Sequence, residues 1–301
     1  MIFSRSILIS LVCPILLMSC TKAEAFVWDS ESLSEVVVLP DSISRTLKIA
    51  IIGDSISSFK GSSPSDLKGY NGVRYKYYYP KGDVYSVESM WWYKVARALS
   101  VSIDNVCNCS WSGSRVSGNS ASMTSASVGC STRRIKDLSA KGFEPDIVFC
   151  FISCNDWANN VPLGLWTLSD DLPADGVIST SREAYALMIA KIRKYYPSCL
   201  IFCLTNLDDI KRDYTPGQPS NNRRGVSVDN WNKSIAELSK SLGCYTIDLQ
   251  DCGIDYDSLS RFTVDGLHPN DAGMTLIANK VNEELAKVLE ITLKSRSDNH
   301  Q

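Results

Sequence analysis

Leu47-Lys48-Ile49-Ala50-Ile51-Ile52-Gly53-Asp54-Ser55 is apolar almost without a break and then stops at Gly-Asp-Ser. A run this short and this apolar reads as a strand of a parallel sheet that is covered on both faces. Ser55 then stands just past the carboxyl end of the strand, where open α/β sheets bind their ligands. Gly, Asp and Ser are also ordinary turn formers. The tripeptide alone therefore leaves a nucleophile and a plain turn both open.

Outward from this strand, strand-like and helical patterns alternate, which predicts a parallel sheet with crossover helices. Further strands are predicted at Val101–Val106, Asp146–Ile152, Cys199–Thr205 and Cys244–Ile247. Helices are predicted near Met90–Leu99, Glu183–Tyr195 and Asn230–Leu242. Thr180 and Glu183 have the spacing of a capping box. A last helix starts near Asn270, with Met274, Ile277, Ala278, Val281, Leu285 and Val288 along one face. The expectation is an α/β domain around a central, mostly parallel five-stranded sheet, spanning residues 46–293, with a polar tail at 294–301.

The chain has 301 residues, a hydrophobic fraction of 44% and a net charge of −2, values of an ordinary globular protein. No basic excess points to nucleic acid. Residues 1–19 read as an export signal, because Arg5 precedes an apolar run from Ile7 to Met18 that is too short to span a bilayer. The run ends in Leu17-Met18-Ser19-Cys20, which resembles a bacterial lipobox with Cys20 as the lipidated residue, the other reading being a plain secretory signal whose cysteine is accidental. The expected location is the cell envelope, on the outer membrane, with the face left open. Residues 20–45 read as a tether with a short N-terminal arm.

Three long connections, Ser57–Ser89, Trp157–Ser179 and Asn206–Val226, each follow a strand end and should gather around Ser55. The first contains Tyr70, Tyr75, Tyr77, Tyr78, Tyr79 and Tyr85, nearly half of the chain's 13 tyrosines. They fit an ordered wall, either pocket lining or lid packing.

A hydroxyl nucleophile needs a base within reach, and the base needs an acceptor that fixes its tautomer. The chain has two histidines, and His300 lies in the terminal tail. If Ser55 is a nucleophile with a histidine base, His268 in Asp265-Gly266-Leu267-His268-Pro269 is the available base and Asp265 can orient it, while a lone histidine near a helix start also reads as a capping or core residue. Donors for a developing oxyanion are offered by Gly113 in Trp111-Ser112-Gly113 and by the Asn155 carboxamide in Ser153-Cys154-Asn155-Asp156, and both segments also read as plain turns, which Gly and Asn favour.

Gly53-Asp54-Ser55, Gly113, Asn155-Asp156 and Asp265-x-x-His268-Pro269 resemble, in order, the blocks of the SGNH (GDSL-type) hydrolases over roughly residues 47–290. The resemblance implies a three-layer flavodoxin-like fold and ester hydrolysis with no cofactor. It implies Ser55 as nucleophile, His268 as base and Asp265 as orienter. The oxyanion hole would be formed by the Ser55 and Gly113 N–H groups and the Asn155 side chain. Tyr79-Pro80, Trp91-Trp92-Tyr93 and Ser110-Trp111-Ser112-Gly113-Ser114 further resemble lipoprotein esterases of gut Bacteroidetes, often tied to glycan deacetylation. The expected partners are an acylated carbohydrate or other small ester, and a membrane through the lipid anchor. Lipid or thioester hydrolysis, or glycan binding with a weak site, are the other readings. Ser153 stands where the family usually has glycine: its side chain either crowds the oxyanion hole or narrows the acyl pocket, or points away and satisfies a neighbouring backbone group, so that only stability depends on it.

Of 11 cysteines, nine follow Cys20. Cys150, Cys154, Cys199 and Cys203 lie in or beside apolar strands and read as buried small hydrophobes. A bridge from Cys107 or Cys109 to Cys130 is expected. No paired Cys-x-x-Cys or second nearby histidine suggests metal.

Overall fold

The computed structural model describes residues 47–63, 76–121, 127–207 and 221–289. Cys20, the 20–45 tether, Tyr70, Tyr75 and the tail at 294–301 lie outside the described residues.

β1 (Ile49–Gly53) is buried at every position, as its unbroken apolar run requires. It pairs in parallel with β2 (Val106–Asn108) on one side and β3 (Ile147–Phe151) on the other. β4 (Leu200–Leu204) and β5 (Tyr245–Ile247) extend the sheet in parallel beyond β3. The five-stranded order is thus β2-β1-β3-β4-β5. The chain reverses its direction of travel across the sheet between β1 and β3, and at such a switch point the carboxyl ends of the strands leave an open crevice. Ser55 follows β1 and Asn155 follows β3, so the topology alone sends both to that crevice.

Side chains alternate across the sheet. On one face Ala50, Ile52, Cys107, Cys109, Val148, Cys150, Ile201 and Cys203 join a core with α2 (Thr132–Lys136), α4 (Ser181–Tyr195) and α5 (Val228–Ser241). Most of these residues are small, so helices can approach the sheet closely. On the other face Trp91 of α1 (Trp91–Ala98) packs edge-on against Phe149 and Phe151. There α1 also packs against α7 (Asp271–Leu289), whose Met274, Ile277, Ala278, Val281 and Leu285 are buried. Asn270 caps α7 as expected, its Oδ1 accepting from the Gly273 N–H at 2.9 Å. α3 (Cys154–Ala158) and α6 (Leu259–Phe262) are single turns, too short to show a periodicity in the sequence.

Three expectations are corrected. The second strand begins at Val106, where the prediction ends: Ser102 accepts from the Asp104 N–H and starts a 3₁₀ turn over Ile103–Asn105. Thr180 and Glu183 meet side chain to side chain at 2.5 Å, with no reciprocal bond to backbone N–H groups. No bridge joins Cys107 or Cys109 to Cys130, since the nine described cysteines are free and buried. Cys107 and Cys109 instead turn their thiols toward the Asp137 carbonyl.

Candidate active site

The Gly53-Asp54-Ser55 segment leaves the sheet through a tight turn in which the Ser57 N–H donates to Asp54 O and the Ser58 N–H to Ser55 O, both at 3.3 Å. Glycine is required at 53, because a Cβ there would press on Ser110 Oγ and Ser57 Cβ at 2.5 and 2.8 Å. The turn is pinned from beneath by the indoles of α1: Trp91 Nε1 donates to Ser57 Oγ and Trp92 Nε1 to Ser57 O, each at 3.0 Å. Ser55, itself buried, is thereby held just past the carboxyl end of β1.

The Asp265–Pro269 turn enters from the other side of the chain's length. Thr263 and Pro269 form an antiparallel bridge, and the Val264 N–H donates to His268 O at 2.7 Å. Asp265 folds back on the turn, its Oδ1 accepting from the Leu267 and His268 N–H groups at 3.2 and 2.9 Å. His268 Nδ1 lies 2.9 and 3.0 Å from the two Asp265 oxygens, and Nε2 lies 2.9 Å from Ser55 Oγ. An ionised carboxylate can only accept, so Nδ1 carries the proton and Nε2 is left to accept from the Ser55 hydroxyl.

The electrostatics agree with that proton placement. Burial opposes the Asp265 charge, but the Tyr78 hydroxyl, the His268 N–H and the imidazole together hold its carboxyl down at about 2. Burial is also the largest influence on His268 and lowers it from 6.5, against the pull of Asp265 and with the help of Lys81. The imidazole is therefore neutral near neutral pH and able to take a proton.

The expected oxyanion donors converge through one carbonyl. Gly53 O accepts from the Trp111 N–H at 3.0 Å, from Ser114 Oγ at 3.1 Å and from Arg134 Nη2 at 2.8 Å. Between Trp111 and Ser114 the chain turns at Gly113, with φ +79°, where glycine carries no strain. Asn155 Nδ2 donates to Ser114 O at 3.0 Å, which leaves its second amide hydrogen available. Among the described residues, the N–H groups of Ser55 and Gly113 have no protein acceptor. Asp156 fixes the same loop by accepting from the Val116 and Ser117 N–H groups at 2.7 and 2.9 Å.

Ser153 takes the second of its two readings for its hydroxyl. Its hydroxyl donates to Asn206 Oδ1 at 3.2 Å, at the end of β4, instead of reaching the Gly113 turn. The buried side chain thus satisfies a neighbouring strand end. The tyrosines of the first long connection divide in role. Tyr79 is fully buried and donates to Pro269 O at 2.5 Å, Tyr78 lies against His268, and Tyr77 and Tyr85 are exposed. Arg134 is the site neighbour that the sequence does not single out, while Tyr78 stood there only as one of six wall tyrosines and Cys154 only as a buried small hydrophobe. Among the described residues, no group of three or more His, Cys, Asp and Glu side chains is gathered as a metal ion would need.

Comparison with known families places the chain. The family profile of GDSL-like Lipase/Acylhydrolase matches residues 47–223. A candidate GDSL-like lipase from Bacteroides ovatus is similar in structure, with TM-score 0.53 and 24% identity over 81% of this chain and 100% of the other. Another from Bacteroides uniformis gives TM-score 0.54 and 23% identity over 80% and 96% of the two chains. A protein from Lactobacillus plantarum gives TM-score 0.57 and 20% identity over 80% and 97%. At these identities the structures establish the fold. No curated protein sequence matches. The profile covers more than half of the sequence, and the chain belongs to the GDSL-like lipase/acylhydrolase family. It is an enzyme of the SGNH hydrolase type.

Proposed function

We propose that this hydrolase removes short acyl groups, acetyl foremost, from carbohydrate esters through an acyl-enzyme on Ser55. The observation that carries the reading is the continuous contact from Ser55 Oγ through His268 to Asp265, each step 2.9–3.0 Å. Ser55 Oγ attacks the acyl carbonyl while its proton passes to His268 Nε2, and Asp265 stabilises the imidazolium. The oxyanion is met by the Ser55 N–H, the Gly113 N–H and Asn155 Nδ2. Collapse expels the sugar hydroxyl, which takes the proton from His268. Water, deprotonated by the same imidazole, then attacks the acyl-serine, and Ser55 regains its proton as the carboxylic acid leaves. The carbohydrate preference rests on the resemblance of Tyr79-Pro80, Trp91-Trp92-Tyr93 and Ser110-Trp111-Ser112-Gly113-Ser114 to lipoprotein esterases of gut Bacteroidetes. Leu17-Met18-Ser19-Cys20 supports an envelope location with a lipid anchor on Cys20.

The test compares specificity constants for 4-nitrophenyl acetate and 4-nitrophenyl octanoate, alongside acetate release from a panel of acetylated polysaccharides. Acetyl preference with release from at least one polysaccharide is expected. Preference for octanoate with no release would move the protein to lipid or thioester substrates.

A further inference from the structure

Tyr78 touches two members of the Ser55-His268-Asp265 set at once. Its hydroxyl donates to Asp265 Oδ2 at 2.5 Å, and its ring lies parallel to the imidazole, centroids 3.5 Å apart with 11° between planes. The phenol is pushed well above its ordinary value, first by burial and then by its bond to Asp265, so it stays protonated and remains a donor.

The backbone holds this placement from both sides. The Tyr78 N–H donates to Ser58 Oγ at 2.9 Å, and the Tyr79 N–H to Ser58 O at 3.2 Å. Ser58 in turn donates through both its N–H and its hydroxyl to Ser55 O. On the far side the Tyr79 hydroxyl donates to Pro269 O, the residue after the histidine. One dipeptide thus ties the nucleophile's turn to the base's turn, although Ser55 and His268 lie 213 positions apart in the chain.

We propose that Tyr78 is a positioning residue for the reaction: its hydroxyl fixes the Asp265 carboxylate and its ring covers the imidazole, so that His268 is aligned with Ser55 and kept neutral. The proposal rests on the triad reading above. The groups that face His268 are Asp265 from its own turn, Ser55 from the end of β1, and Tyr78 and Lys81 from the loop after β1. Lys81 Nζ lies 4.6 Å from the Tyr78 ring centroid. Asp265 favours the imidazolium, while burial and Lys81 disfavour it. Removing the Tyr78 hydroxyl frees Asp265 charge to act on His268, and removing the ring lets water reach the imidazole. Both changes favour the imidazolium, so both move the acid limb of the rate to higher pH.

The experiment measures kcat and KM for 4-nitrophenyl acetate from pH 4.5 to 9 in the wild type and in Tyr78→Phe, Tyr78→Ala and Ser55→Ala. Tyr78→Phe keeps the stacked ring and should fold. Its kcat is expected to fall about tenfold or more, the scale of one hydrogen bond to a charged group, with KM little changed. Its acid limb should move up by roughly half a unit or more. Tyr78→Ala should move the limb at least as far. A Tyr78→Phe enzyme with wild-type kcat and pH profile, beside an inactive Ser55→Ala, would overturn the positioning role and leave the triad standing. A lower rate with an unmoved acid limb would also overturn it, since general loosening of the loop lowers kcat without changing the imidazole. An active Ser55→Ala would overturn the triad reading and this proposal together.

Discussion

The thiol of Cys154 donates to Oδ2 of Asp54 at 3.0 Å, joining the segments that follow β3 and β1 beside the turn that carries Ser55. Both side chains are buried, and the Asp54 carboxyl also accepts from the Ile56 N–H at 3.1 Å. Burial is the dominant influence and pushes Asp54 up from 3.8 to about 6, with nearby Asp156 adding to it and Cys154, Ile56 and Arg134 opposing.

A pH dependence of stability follows from that carboxyl. Native Asp54 binds its proton more tightly than the unfolded chain does, so the native state loses stability as pH rises from about 4 through about 6. Asp54→Asn keeps the acceptor oxygen but cannot ionise. Relative to wild type, the variant should gain on the order of 3 kcal/mol between pH 4 and pH 7.5. Urea unfolding at the two pH values checks this. Parallel pH dependences in the two proteins would show that Asp54 titrates normally.

The sheet and the candidate triad were legible because they rest on short-range patterns. β1 is an unbroken apolar run ending in small polar residues, and Asp265 and His268 sit in one turn. β2 was misplaced because Ser102 bonds its local backbone and delays the strand, a competition that apolar patterning does not register. The role of Tyr78 was not legible at all: its two partners lie 187 and 190 positions away in sequence, and its own connection has no periodicity to read. Arg134 was hidden in the same way. Arginine on a short helix reads as surface, yet this side chain is fully buried with Nη2 on Gly53 O.

Ser153 supplies a prediction about stability in place of one about substrate size. Ser153→Ala leaves Asn206 Oδ1 without its donor in a buried setting, a loss of about 1–3 kcal/mol. Turnover of acetyl and butyryl esters should stay near wild type. Melting temperature and turnover measured together decide this, and faster butyryl turnover would favour the crowding reading.

Gly273 tests how rigidly α7 supports the histidine's turn. A Cβ at Gly273 would collide with the Phe262 carbonyl and press on Pro269 Cβ at 3.1 Å. That carbonyl also accepts from the Asn270 N–H at 2.9 Å, so the helix start and the Asp265–Pro269 turn would shift together. Gly273→Ala should destabilise the fold by about 1–3 kcal/mol, the cost of overpacking, and should lower kcat as His268 moves. Unchanged melting with unchanged kcat would mean that α6 yields without disturbing the turn.

The central claim is that Ser55 is a nucleophile activated by His268, and covalent labelling tests it most directly. Wild-type protein and His268→Ala are treated with a fluorophosphonate probe, and the modified peptide is mapped by mass spectrometry. The account predicts one adduct, on Ser55, formed rapidly in the wild type and lost or greatly slowed in His268→Ala. An unlabelled Ser55 in a wild-type sample that hydrolyses esters, or equal labelling in both proteins, would contradict it.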